Sequence, residues 1–260
     1  MLIKVTNYCS MGCSHCMEDS TVAGKHMTEE TFHKALSFTQ NMEHIAWQSG
    51  APPLILLSGG EATEHPDIVK FITEVIRRDL SPVLITNGAF LADKELREAI
   101  LRPEWTTLSL QVTNDPRFYP KRIQKVEDDR ITYVDELNHI MPLGRIVGKK
   151  TDLPIKKAPA SFNLRSMTIH FKDIRLALQM MRVRAAVGFS GHCSPNITNE
   201  GWVMAGETRN CFKIGTVDST AEELTKALTE MKCNKCGLED NLTMEQKRAI
   251  NATVLYSHRE

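Results

Sequence analysis

Three cysteines within the first sixteen residues, Cys9, Cys13 and Cys16 in the spacing C-x3-C-x2-C, place the tightest constraint on what this chain can become. They follow Leu2-Ile3-Lys4-Val5-Thr6, whose alternation reads as a short strand. A strand that delivers three thiols to one tight loop makes a cradle for a metal or a cluster, and soft sulfur ligands favour zinc or iron-sulfur over hard cations. Three thiols are one short of a closed structural zinc site. The loop therefore borrows a distant fourth ligand or leaves a position open for something that reacts.

The cysteine count extends this reading. Seven cannot all pair as disulfides, and they divide into the three near the N-terminus and four later ones, Cys193, Cys211, Cys233 and Cys236. One open site and one closed site would use every thiol. The 32 basic and 32 acidic residues cancel, so no whole-molecule field draws the protein to nucleic acid, and no nucleic-acid partner is expected. No apolar run approaches the roughly 18 to 20 residues of a membrane helix, and Met1-Leu2-Ile3-Lys4 lacks a signal peptide's charged and apolar regions. The expectation is a cytoplasmic protein with no membrane partner. At 260 residues it is long enough for one large core with a small appendage.

Taken in order, Thr28-Glu29-Glu30 reads as an N-cap followed by acids at the positive end of a helix dipole. Phe32, Ala35, Leu36 and Met42 then predict an amphipathic helix over about residues 29–43. Pro53 to Leu57 is a continuous apolar run, as a strand covered on both faces would be, and it leads into Ser58-Gly59-Gly60-Glu61. Two glycines at a buried strand end let backbone approach a ligand, and the carboxylate beside them can hold an ammonium. Pro66 opens a second helix bearing Ile68, Val69, Ile72, Val75 and Ile76. A third strand over 82–86 closes with Asn87-Gly88, a short helix spans 93–101, and a fourth strand spans 106–112. Alternation of strand and helix predicts parallel strands with ligand chemistry at their C-terminal ends, where both the cysteines and the Gly-Gly-Glu fall. Residues 115–165 are read as a basic, solvated stretch with a fifth strand in 131–137. Residues 167–171 are expected as the last barrel strand and 173–187 as a helix.

From Gly191 the texture changes to Gly-rich turns and short alternating strands, which sets a domain boundary near 189. Asn199 to Val203 reads as a hairpin turn entering a strand, and Thr220-x-x-Glu223 as a capping box for a helix ending at Cys233-x2-Cys236. Four thiols brought together this way suit zinc and iron-sulfur equally.

The C-x3-C-x2-C loop after a first strand, with Gly59-Gly60-Glu61 after the second, resembles the radical S-adenosylmethionine enzymes. Cys193-x12-Gly206-x4-Cys211 with Cys233-x2-Cys236 resembles their auxiliary-cluster extension in its short twitch form, a relative of the longer SPASM form. The resemblance covers residues 1–112 and 166–237. It implies a partial (β/α)6 TIM-like barrel over 1–188 and a small α+β auxiliary domain over 189–260. It implies two 4Fe-4S clusters: a reactive one on Cys9, Cys13 and Cys16 that binds S-adenosylmethionine, and an auxiliary one on Cys193, Cys211, Cys233 and Cys236. Ser58, Gly59, Gly60 and Glu61 would contact the cofactor, with its amino group on Gly59-Gly60-Glu61. His15 stands where the family usually has an aromatic residue, and its ring can lie flat on adenine. Asn87, Ser109 and Gln111 would contact the ribose or the methionine carboxylate, and Arg145 would also be a cofactor-binding residue. The implied activity is reductive cleavage to a 5′-deoxyadenosyl radical that takes hydrogen from a substrate. An electron donor such as flavodoxin or ferredoxin would act as partner, and the substrate would be a peptide or a small molecule such as a sugar or aminocyclitol. The rivals are a non-catalytic zinc scaffold and a two-cluster electron carrier.

Overall fold

A computed structural model describes residues 1–48, 50, 53–137, 143–147, 164–186 and 193–232. Strand β1 (Leu2–Thr6) is followed by helix α1 (Glu29–Gln48), strand β2 (Leu54–Gly59), helix α2 (Ile68–Arg77) and strand β3 (Ser81–Thr86). Helix α3 (Lys94–Ile100), strand β4 (Ser109–Thr113) and strand β5 (Ile131–Val134) complete this alternating part. Helices α4 (Leu164–Phe171) and α5 (Ile174–Ala186) precede three short strands, β6 (Asn196–Ile197), β7 (Trp202–Met204) and β8 (Lys213–Thr216), and helix α6 (Ala221–Glu230).

The helices form where caps and apolar spacing agree. The Thr28 hydroxyl accepts from the Thr31 amide at 3.2 Å, and α1 buries Phe32, Ala35, Leu36, Thr39, Met42 and Ala46 along one stripe. Phe32 stacks on Phe71 of α2, with ring centroids 3.9 Å apart. The Asp93 carboxylate caps α3 by accepting from Leu96 N, and the Thr220/Glu223 capping box on α6 is fully formed.

The strands form one sheet in the order β5-β4-β3-β2-β1-β6-β7-β8. From β5 to β6 every pair is parallel, and β7 and β8 continue antiparallel beyond β6. The fold is therefore mixed α/β with a parallel-dominated sheet. The C-terminal ends of β1, β2, β3 and β4 lie along one rim.

Residues 167–171 are not a strand. They lie in helix α4, where Leu164, Met167 and Thr168 are buried and Ile169 is 46% exposed. A strand would put Ile169 on the same face as Met167, whereas the i, i+3, i+4 spacing puts Leu164, Met167 and Thr168 on one helical stripe. The sixth parallel strand is instead Asn196–Ile197, beside β1 rather than β5. No helix among the described residues is long and apolar enough to cross a membrane.

Candidate functional site

The three-cysteine loop leaves the C-terminal end of β1 and folds into a small core of its own. Cys9, Met11 and Cys13 are buried together, with Cys16, Ala89 and Tyr119 packed against them. Burial pushes the Cys9 thiol up to about 11 and the Cys13 thiol up to about 12. Thiols so placed ionise only when a positive centre stabilises the thiolate.

Three outside elements hold this loop. After β2, the Glu64 carboxylate takes both the Ser10 amide, at 2.9 Å, and the Ser10 hydroxyl. After β4, the Phe118 carbonyl accepts from Ser14 N at 3.2 Å, and His15 packs against the Phe118 and Tyr119 rings at 4.7 and 5.2 Å. The third element is the Leu143-Gly144-Arg145 segment. Arg145 N donates to the Cys16 carbonyl at 2.9 Å, and its guanidinium donates to the Cys13 carbonyl at 3.0 Å, to Asp19 at 2.9 Å and to the Ser20 carbonyl. Gly144 sits in the left-handed region at φ +64°, and a Cβ there would lie 2.3 Å from the Cys16 carbonyl oxygen.

Glu61 stands at the neighbouring strand end with its carboxylate 1% exposed. One oxygen accepts from Thr63 N at 2.9 Å and from the Thr63 and Thr86 hydroxyls at 2.6 Å each; the other accepts from Asn87 N at 2.7 Å. Burial raises its pKa and these donors oppose the rise. The carboxylate thus ties the end of β2 to the end of β3. Asn87 Oδ1 accepts from Ala89 N at 2.8 Å, which orients the amide and leaves Asn87 Nδ2 buried without an acceptor. His15 Nδ1 is buried without a partner as well, and burial holds its imidazole below the usual range.

These groups surround one cavity of about 540 Å³. It is lined by Cys9, Cys13 and Cys16, and by His15, Ser58, Gly59, Gly60, Glu61, Asn87, Gln111 and Arg145. Ser109 is the expected residue that stays away: it opens β4 opposite Val83, two residues back from Gln111, which pairs with Ile85. Arg145 reaches the cavity with its guanidinium already engaged by the loop. Tyr119, Lys4 and Glu18 also line it, and sequence reasoning missed them. Lys4 and Glu18 are separated by the cysteines in sequence and become a pair only through folding. Tyr119 sits in a stretch with no periodicity to announce it.

Three cysteines, two buried side-chain nitrogens without partners and a glycine-lined strand end fit a sulfur-ligated cluster with a polar cofactor. Among the described residues, no group of three or more His, Cys, Asp or Glu side chains is placed to hold a single metal ion. Thiolates sharing one zinc stand only about 3.8 Å apart, given ~2.3 Å bonds in tetrahedral directions. In the tail, a Cβ on Gly206 would lie 2.7 Å from Cys211 Sγ and 3.8 Å from Cys193 Cα, so the two cysteines flank one glycine. Cys233 and Cys236 lie outside the described residues.

Residues 3–148 match the family profile of the radical SAM superfamily. No curated protein matches the sequence. Among solved structures, Streptococcus suis SuiB bound to S-adenosylmethionine is similar at 10% identity and a TM-score of 0.47, over 92% of this chain and 70% of that one. SuiB bound to its precursor peptide SuiA gives 12%, 0.46, 92% and 69%. Native anSMEcpe with bound AdoMet and the Cp18Cys peptide gives 11% identity and a TM-score of 0.43, over 94% of this chain and 84% of that one.

Proposed function

The chain belongs to the radical SAM superfamily, and from that premise we propose that it cleaves S-adenosylmethionine reductively at Cys9, Cys13 and Cys16 and modifies a peptide or natural-product precursor by hydrogen abstraction. Membership implies a 4Fe-4S cluster and S-adenosylmethionine as cofactors. The observation that carries the proposal is convergence: three thiols, the Gly59-Gly60 strand end and the Asn87 amide open on one cavity. When bound, the cluster supplies one electron to the sulfonium, releasing the radical that takes a hydrogen atom from substrate.

In this reading the chain's own residues bind, orient and exclude water. The Gly59-Gly60 backbone faces the methionine ammonium, and Glu61 holds that strand end in register with Asn87. Asn87 Nδ2 offers its hydrogen to the ribose or the carboxylate, with Gln111 beside it. His15, backed by Phe118 and Tyr119, offers its ring to adenine. A bound substrate would complete the cavity wall and keep a primary radical from solvent. Residues 189–260 would act as the auxiliary region, with Cys193, Cys211, Cys233 and Cys236 holding a second 4Fe-4S cluster, which would supply an electron acceptor for the substrate radical or a site that ligates or orients the substrate. A flavodoxin or ferredoxin supplies the first electron, in the cytoplasm. A small sugar or aminocyclitol is the second substrate class. An electron carrier has no need of a cavity lined by a glycine strand end beside its thiols.

The test is electron paramagnetic resonance on anaerobically reconstituted, reduced protein with and without S-adenosylmethionine. The wild type should give a cluster signal that shifts when S-adenosylmethionine is added, and the C9A/C13A/C16A variant should lose that response. A wild-type signal indifferent to S-adenosylmethionine would sink the enzyme reading.

A further inference from the structure

The wall of the same cavity contains a buried ion pair that the proposed chemistry does not use. Lys4, in β1, is 5% exposed and pairs with Glu18, which is 8% exposed and lies two residues beyond Cys16. The same ammonium donates to the Glu207 carbonyl at 2.6 Å. The other oxygen of Glu18 accepts from Arg209 N at 3.2 Å, and beside it Asn210 Nδ2 donates to the Met17 carbonyl at 2.9 Å. Asn196 Nδ2 donates to the Gly206 carbonyl behind them. Arg209 and Asn210 are thus joined to Glu18 and Met17, and Glu207 to Lys4, by hydrogen bonds, with the Lys4–Glu18 pair at the centre. Met17 follows Cys16 directly, and Asn210 directly precedes Cys211.

We propose that Lys4 and Glu18 are positioning residues: their ion pair is a joint that fixes the segment carrying Cys211 against the three-cysteine loop and closes that wall of the cavity. Each charge is withdrawn from water and tolerated because the other is there, so removing one leaves a buried charge that must draw in water or expel its neighbours. Segment 207–210 is irregular: Thr208 turns it back on itself through Asn210 N and Cys211 N, and the hydrogen bonds that anchor it to the three-cysteine side run to Lys4, Glu18 and Met17. The geometry stands by itself; the consequence for two metal-bearing loops rests on the proposed function.

Hydrogen exchange on the full, iron-loaded chain tests this with K4M, E18Q and K4M/E18Q. In K4M, amides of residues 207–211 should exchange about tenfold faster or more, while those of α2 and β3 keep their wild-type rates. Adding E18Q should bring 207–211 back to within about threefold of wild type, because the neutral side-chain amide removes the unpaired charge and its oxygen still offers Arg209 N an acceptor. If K4M does not fold, the isosteric E18Q alone should speed 207–211 by about threefold. Wild-type exchange at 207–211 in both single variants would overturn the proposal. So would acceleration spread evenly over the chain, or a double variant faster than K4M. A wild-type protein that takes up iron but never responds to S-adenosylmethionine would defeat the proposed function and leave this result readable.

Discussion

Arg145 poses the difference between binding a cofactor and holding the loop that would bind it. A guanidinium lining a cavity can take a carboxylate partner, and the sequence reading expected Arg145 to contact the cofactor. Its fork is instead occupied by the Cys13 and Ser20 carbonyls and by Asp19, while its backbone amide holds the Cys16 carbonyl. Lysine keeps the charge and loses the fork, so R145K should release iron from the three-cysteine loop several-fold faster under a chelator. The fraction still loaded should bind S-adenosylmethionine as the wild type does, measured as the concentration dependence of the resonance shift. An arginine that met the methionine carboxylate would give the reverse: normal iron retention and weakened S-adenosylmethionine affinity. The thiols and the Gly59-Gly60-Glu61 strand end were legible in sequence because each is a local pattern with its own chemistry. The partners of Arg145 lie more than a hundred positions away, and hydrogen bonds to backbone carbonyls leave no mark on the residue types that supply them.

At the scale of elements, periodicity was a sound guide wherever one face is buried and caps bound the segment, as in α1, α3 and α6. It failed at α4, where Met167-Thr168-Ile169-His170-Phe171 alternates apolar and polar as a strand does, and only the preceding Leu164 brings in the helical spacing. The joint between α1 and α2 carries a prediction of its own. Arg77 and Arg78 both donate to Glu74, at 2.8 to 3.0 Å, and Arg78 goes on to Ser37 and Gln40 of α1. Arg77 and Arg78 hold the Glu74 carboxyl down at about 2, and its side chain is 12% exposed. A carboxylate depressed in the folded state stabilises it fully above the unfolded pKa, near 4.5, and that contribution is lost as pH falls through about 2. In urea unfolding of iron-free protein, the stability gap between wild type and E74Q should therefore be on the order of 1–2 kcal/mol at pH 6 and should close between about pH 4.5 and 2. A gap independent of pH would assign the effect to packing.

For the whole molecule, the arrangement of the sheet brings the segment that carries Cys211 beside the three-cysteine loop. Strands β6 to β8 are not a separate layer: they extend the main sheet from the free side of β1, the strand that also launches the three-cysteine loop. This continuity was illegible in sequence because β6 is only two residues long, Asn196 and Ile197, too short to show a period. Beyond β7, the loop carrying Cys211 is closed by Ala205 N donating to the Phe212 carbonyl at 2.7 Å and by Cys211 N donating to the Thr208 carbonyl at 3.1 Å. At its base, Gly206 adds no side chain of its own beside Cys211 Sγ and the Cys193 backbone. If these two thiols belong to a second cluster, a methyl group at 206 must displace Cys211 Sγ, which a Cβ there would approach to 2.7 Å. G206A should then act as a ligand deletion without touching a ligand. Iron in anaerobically reconstituted protein should fall from about eight atoms per chain to about four, while the resonance shift on adding S-adenosylmethionine persists, because the remaining cluster sits on Cys9, Cys13 and Cys16. C211A should match it. About four irons in the wild type with one zinc, and loss of that zinc in both variants, would make the tail a structural metal site and remove its role as electron acceptor. Four irons and no zinc in wild type and variants alike would separate the tail thiols from metal altogether.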